Sequence, residues 1–243
     1  MFVIYFFIFH WYASLFIQTF FHHRYASHKM FTMNKFWERF FYLLVYILQG
    51  SSFLTPRAYG VLHRMHHAFS DTDKDPHSPH NYSNIFTMMW DTRLIYNKLV
   101  YNQMIPEDRF SKDLPEWKFI DTLGEKHFSR VAWGIFYIFI YVKFATAWWM
   151  FLLLPIHFLM GAVHGAIVNW FGHKLGYENF DNNDHSKNTL VFDFIMLGEL
   201  FQNNHHKYGQ RPKFAVKWFE FDPTYPVLKL FSLLGIIKFT KTA

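Results

Sequence analysis

Forty consecutive residues, Val131 to Trp170, contain one Lys, Arg, Asp or Glu side chain, Lys143. A hydrocarbon layer of about 30 Å takes about 20 helical residues, so this run suits two membrane crossings joined by a tight turn. Backbone polar groups in lipid must find partners within the chain, which makes helix the required form. Two further apolar stretches precede it, MFVIYFFIFHWYASLFIQTFF at 1–21 and FWERFFYLLVYILQGSSFL at 36–54. The first has the length of one crossing. It lacks the basic start and small-residue cleavage site of a signal peptide and runs directly into HHRYASH.

Of the 24 Lys and Arg, only Lys143 falls inside a proposed span or turn, where it snorkels to the outer interface. The others lie on one side, which the positive-inside rule makes cytoplasmic. If 36–54 crossed the membrane, the histidines before and after it would face opposite compartments. That stretch also carries Glu38, Arg39, Gln49 and Ser51-Ser52. It is therefore read as an interfacial helix, with a fourth crossing there as the alternative. Spans at 1–21, 131–150 and 152–170 follow, with cytosolic segments 22–130 and 171–243 and Trp148-Trp149 as an interfacial belt. The chain is one all-α membrane domain, 1–243, a stalk of three spans under a cytosolic helical cap. Aromatic residues make up 23%, more than one soluble core of this length needs. No cysteine is present, which excludes disulfides, thiolate metal sites and cysteine nucleophiles. No repeat or low-complexity segment interrupts the chain. The charge tracks the membrane face, which argues against nucleic acid.

Four polar clusters fall on the cytoplasmic side: His22-His23-Arg-Tyr-Ala-Ser-His28, His63-Arg-Met-His66-His67, Asn169-Trp-Phe-Gly-His173 and Glu199-Leu-Phe-Gln202-Asn-Asn-His205-His206. Residues i, i+3 and i+4 share a helix face, so His63, His66 and His67 are expected to converge. One HxxHH is more often a solvated face than a ligand set. Four such clusters exceed what one tetrahedral zinc needs, and two metal ions account for them economically. The stretch His63 to His80 holds five histidines and three aspartates in eighteen residues. Asp71, Asp73, Asp75 and Glu199 are candidates to orient the rings. His77 and His80 are expected beside the ligands or at the surface, and Asp181 as a brace for the His173 region. His10, His157 and His164 lie within spans and are expected to hydrogen-bond between helices, with His157 and His164 seven apart on one face. Gln49 to Ser52 either line a tunnel or form a plain helix end.

HRYASH, HRMHH and QNNHH resemble the three histidine boxes of the membrane fatty acid desaturases. HRMHHAFSDTDKDPHSP, NWFGHKLGYENFDNNDHSKN and GELFQNNHH are similar to the contexts of the acyl-CoA, stearoyl-CoA type branch in a short bacterial form. The resemblance runs from about residue 18 to about residue 210. It implies a helical stalk and cap with two irons (Fe2+) between them, held by His23, His28, His63, His66, His67, His173, His205 and His206, with Asn169 acting through a water. Gln202 departs from that branch, where a histidine ligand is usual, and leaves one iron with a weaker ligand. The family usually has four spans. The match begins at the second, which implies three spans here and an extracytoplasmic N-terminus.

The implied reaction is O2-dependent desaturation of a fatty acyl chain at the delta-9 position, with acyl-CoA as the expected substrate and a lipid-linked chain as the alternative, giving a cis double bond and water. Unactivated C–H bonds lie beyond ordinary acid, base or nucleophilic side chains, so a cofactor must act. No E-x-x-H of the soluble di-iron carboxylate proteins occurs, and neither does a nucleotide-binding glycine motif or an HPGG haem motif. Electrons are therefore expected from a separate ferredoxin-like or cytochrome b5-like donor and its reductase. The expected place is a bacterial inner membrane with the active site on the cytoplasmic side. A related membrane di-iron hydroxylase and a non-enzymatic zinc-binding membrane protein remain the alternatives.

Overall fold

The computed structural model describes residues 1–240. Helix α1 (Phe2–Ile17) passes without a break into wide π-helical turns over Gln18–Ser27. Together they form a rod of 26 residues, the one single helix among the described residues long and apolar enough to cross a membrane. One flank of the rod, Phe2, Tyr5, Phe9 and Tyr12, is exposed. A short strand, β1 (Phe31–Thr32), leads to α2 (Lys35–Gln49), capped by the Asn34 side chain accepting from Trp37 N–H. α2 has two apolar stripes. Phe41, Tyr42 and Val45 pack in the core with Phe20 and Phe21, whereas Phe36, Phe40, Leu43 and Ile47 are exposed.

The cap follows. Thr55 caps α3 (Pro56–Phe69), with Pro56 in the first turn, where its missing N–H costs nothing. α4 (Ile85–Val100) begins at Asn84, whose carboxamide oxygen accepts from Phe86 and Thr87 N–H. Two short helices, α5 (Asp108–Ser111) and α6 (Lys118–Glu125), return the chain to α7 (His127–Phe144). Val131, Ile135, Ile138 and Val142 on α7 are exposed, continuing the apolar outer surface of α1.

The expected third span is not one straight helix. A 3-10 segment (Trp148–Leu153) leads into α8 (Leu154–Phe158), and α9 (Met160–Lys174) departs from it at 76°. Leu159 leaves helical geometry at φ −121° and ψ 21°. The backbone groups freed at this break are taken up by two serines: Ser51 Oγ donates to the Phe158 carbonyl (3.0 Å), and Gly161 N–H donates to Ser52 Oγ (3.0 Å). A kinked apolar segment needs such partners, and the sequence supplies them 107 and 109 residues away. Gly50 precedes the serines at φ +53°, where a Cβ would lie 1.8 Å from the Tyr137 hydroxyl, so only glycine fits. The break also puts His157 and His164 on different helices, contrary to the shared face expected of them. His10 Nδ1 and His157 Nδ1 stand 2.6 Å apart, and the pair ends on the Leu48 carbonyl and the Tyr141 hydroxyl, an interhelical bridge as expected. His164 is buried with neither ring nitrogen bonded.

After α9 the chain runs through a loop to α10 (Gln202–Lys207) and α11 (Thr224–Leu233), and β2 (Lys238–Phe239) pairs antiparallel with β1. Gly172 lets α10 dock on α9: a Cβ there would lie 2.5 Å from Gln202 Cγ. The loop is held by the asparagines of the QNNHH segment. Asn203 Oδ1 accepts from Asn179 and Phe180 N–H, and Asn204 Nδ2 donates to the Phe214 carbonyl and Glu220.

Candidate metal centre

His23 and His28 are five residues apart, which on an α-helix is about 140° around the axis. The π-helical turns remove that angle. His28 N–H donates to the His23 carbonyl (3.2 Å), five residues back, and the two rings lie 5.1 Å apart. Wide turns of this kind are rare and concentrate at functional sites. α3 adds His63, His66 and His67, but these do not converge on one point as expected. His63 and His67 turn to one side (ring centroids 4.6 Å apart), and His66 lies 100° around the helix from His67. α10 repeats the division with adjacent residues, His205 to one group and His206 to the other.

The first group is His23, His28, His63, His67 and His205, with one nitrogen from each ring inside a 4.8 Å cluster. His28 Nε2 faces His63 Nε2 at 2.6 Å, His23 Nε2 faces His205 Nε2 at 2.9 Å, and His67 Nε2 faces His205 Nε2 at 3.0 Å. Lone pairs so close need a proton or a cation between them. Burial first, and then neighbouring rings, push His28, His63, His67 and His205 well below the usual imidazole value. They are therefore neutral near pH 7, the form that ligates.

The second group is His66, His173 and His206. Each ring is fixed through Nδ1 by an aspartate: His66 by Asp75 (2.8 Å), His173 by Asp71 (2.8 Å) and His206 by Asp184 (2.6 Å). Each Nε2 is buried and bonded to nothing, and the three point into one space. Buried nitrogens without partners are rare, and three aimed at each other fit a metal ion whose ligand rings are oriented from behind. Burial raises Asp184, but the His206 hydrogen bond and charge outweigh it and hold the carboxyl low; Asp71 and Asp75 are held low by His173 and His66 in the same way.

Asp71, Asp75 and Glu199 each reach a ring nitrogen, Glu199 being 2.5 Å from His23 Nδ1. Asp73 and Asp181 are exposed and orient no ring. Asp184 is the residue missed. It lies in the same DNND loop as Asp181, and spacing alone does not say which aspartate points inward. Arg24, inside the first box, was also passed over. It is fully buried and joins Glu199 and Asp222, each at 3.1 Å. His77 is buried against the His66 ring (4.6 Å) with both nitrogens free, and His80 donates outward to the His173 carbonyl (3.0 Å). Asn169 and Gln202 line the same cavity as His23 and His63, and Gln202 Nε2 donates to the Glu199 carbonyl (2.6 Å).

That cavity has a volume of about 780 Å³ and runs between α4 and α9 past Leu15, Leu54, Leu62 and Val168. A smaller cleft of about 440 Å³ opens over His67 and His206.

Two outcomes follow from this geometry. Replacing Asp184 by Asn removes the charge behind His206, so the second group should bind its metal about 10- to 100-fold more weakly, as read by chelator competition. Without metal, His28, His63, His67 and His205 take up protons on unfolding at their ordinary value of 6.5, whereas burial keeps them neutral in the folded state. The unfolded chain then binds more protons, so stability falls as pH drops below 6.5. Urea midpoints of the chelator-treated protein at pH 7.5 and 5.5, in detergent, check this. Equal midpoints would contradict it.

The profile of the fatty acid desaturase family matches residues 1–233. The chain is 32% identical over 223 residues to a protein of Synechocystis named sn-1 stearoyl-lipid 9-desaturase, covering 89% of this chain and 64% of that one. It is 30% identical over 229 residues to Delta-9 desaturase-like 5 protein of Arabidopsis thaliana, covering 90% and 70%. It is 27% identical over 235 residues to Acyl-CoA 5-desaturase AL21 of Anemone leveillei, covering 92% and 67%. With a family profile matched over nearly its whole length, and histidine boxes that fold into two ring clusters, the chain belongs to the fatty acid desaturase family.

Proposed function

We propose that this protein desaturates a fatty acyl chain with O2, using two irons, one in each histidine group. The observation that carries the reading is the pair of groups built on the same two helices, α3 and α10, beside one long cavity. When bound, the irons supply the oxidant that an unactivated C–H bond requires, drawing on O2 and two external electrons. The balance is R–CH2–CH2–R + O2 + 2 e− + 2 H+ → R–CH=CH–R + 2 H2O.

The chain's own residues do the rest. His23, His28, His63, His67 and His205 hold the first iron, and His66, His173 and His206 hold the second, with Asn169 and Gln202 offering oxygens at the cavity wall. Glu199, Asp71, Asp75 and Asp184 fix the rings and their tautomers. Leu15, Leu62 and Val168 hold the acyl chain dry. The exposed apolar flanks of α1, α2 and α7 face lipid, with Trp148 (77% exposed) and Trp149 (46%) at the far interface. We read the bent α8–α9 unit as a third crossing and the site as cytoplasmic, in a bacterial inner membrane. A separate ferredoxin-like or cytochrome b5-like protein supplies the electrons.

The test is the fatty-acid profile of a bacterial host expressing the full chain with a reductase partner, with and without air. A new monounsaturated acid that depends on O2, its double bond placed by mass spectrometry, is the expected result. A hydroxylated acid, or no new product from a chain carrying two irons and a working donor, sinks it.

A further inference from the structure

The names of the relatives divide between lipid-linked and CoA-linked acyl chains, and the cavity wall of this chain bears on that division. On one side the cavity is bounded by Phe86, Trp90 and Arg93 of α4, on the other by Phe158, Leu159 and Ala162 at the α8–α9 bend. Four of these residues are cavity wall and open surface at once: Phe86 is 82% exposed, Leu159 57% and Trp90 56%, and Arg93 is exposed beside them. The cavity therefore reaches the surface through a rim that is apolar at Phe86, Trp90 and Leu159 and polar at Arg93 and His127, and on the α9 side it belongs to the apolar segments.

The charges at the wall point the same way. The charged residues lining the cavity are Arg93, Arg130, Glu125 and Glu199, which sum to zero. Arg130 is committed to Glu125 and to the carbonyls of Ser51 and Phe53. Glu199 is committed to His23 and Arg24. Arg93 is the one lining cation among the described residues without a carboxylate partner, and its guanidinium lies 5.2 Å from the Trp90 ring. Lys98, five residues after Arg93, and Lys126, between the lining residues Glu125 and His127, do not line the cavity. A water-soluble carrier with several phosphates calls for a cluster of cations at the entrance. One arginine beside one tryptophan on an apolar rim is what a lipid–water interface favours, and arginine takes a single phosphate well.

The geometry points to a sideways entrance: the acyl chain passes between α4 and the α8–α9 bend while still esterified in a membrane glycerolipid, whose phosphate stays outside beside Arg93 and Trp90. This rests on the desaturase reading above and adds the substrate class to it. The α8–α9 side of the rim lies in the bilayer and the α4 side at its surface, so the chain leaves lipid and enters the cavity without crossing water.

The experiment uses the full chain, iron-loaded, in nanodiscs, with a ferredoxin and its reductase as electron source. One arm contains phosphatidylglycerol carrying 13C-stearoyl; the other contains unlabelled, already unsaturated lipid with 13C-stearoyl-CoA added. Labelled monoene forming on the intact lipid, at least tenfold faster than on the CoA ester, supports the inference. Equal or faster product on the CoA ester overturns it and leaves desaturation standing. No product in either arm, with two irons per chain, overturns desaturation and this inference together. Leu159→Lys places a charge in the rim, and Arg93→Glu repels the phosphate. Each should slow the lipid arm at least tenfold or raise its KM by that factor, with iron content unchanged. Full lipid turnover in both variants also overturns the sideways entrance.

Discussion

Replacing His66 by Ala should abolish product formation, by at least a thousandfold, and leave about one metal per chain at saturating metal. His66 is one of only three rings in the second group, and its loss leaves His173 and His206 as a two-ring remnant. His67→Ala should abolish product as well, but with a different metal content. The first group has five rings and keeps four, enough to retain an ion in altered geometry. Metal analysis of the two purified variants therefore separates the groups: close to one ion for His66→Ala and close to two for His67→Ala. Both proteins should remain in the membrane fraction. Full turnover by either variant, or identical metal loss from both, would contradict the division into groups of five and three.

The second large effect is expected at Arg24. Its guanidinium is wholly buried, bonded to Glu199 and Asp222 and packed 3.8 Å over the Phe214 ring. Burial drives both carboxyls up; His23 and then Arg24 hold Glu199 below its ordinary value, while Asp222 stays above its own despite Arg24. Arg24→Leu leaves both carboxylates without their cation, and breaking a buried pair in this way costs about 3–5 kcal/mol. Thermal unfolding in detergent reads that loss. Glu199 also fixes His23, so metal in the first group should weaken in parallel. Arg24→Lys restores charge but not the forked geometry and should recover only part of the stability. Stability within about 0.5 kcal/mol of the parent in Arg24→Leu would show that the pair is neutral to the fold.

Much of this site was legible in the sequence because box histidines are rare in an apolar chain and carry their own spacing. All eight expected ring ligands fall in the two groups. Their division was not legible. HxxHH says that three rings share a broad face, but whether that face serves one ion or two depends on what packs against each edge of α3. The π-helical winding at His23 and His28 was hidden for a related reason: a register of five has no meaning on an α-helix, and the local sequence does not announce a wide turn. Asp184 and Arg24 were missed because a charged residue near a site looks the same in sequence whether it points in or out. The bend at Leu159 was not read because the segment around it carries no charge, although Pro155 and Gly161 flank it. The groups that satisfy the opened backbone, Ser51 and Ser52, meet it only in three dimensions.

Two helices carry rings of both groups: α3 gives His63 and His67 to one and His66 to the other, and α10 divides neighbours His205 and His206. Neither helix can be ordered for one ion without being ordered for the second. The first ion to arrive thus bears the conformational entropy of fixing both helices, and the second meets ligands already in place. Loading should be positively cooperative. At half the metal needed for saturation, the population should consist mostly of empty and doubly occupied chains, with the singly occupied form scarce in native mass spectra.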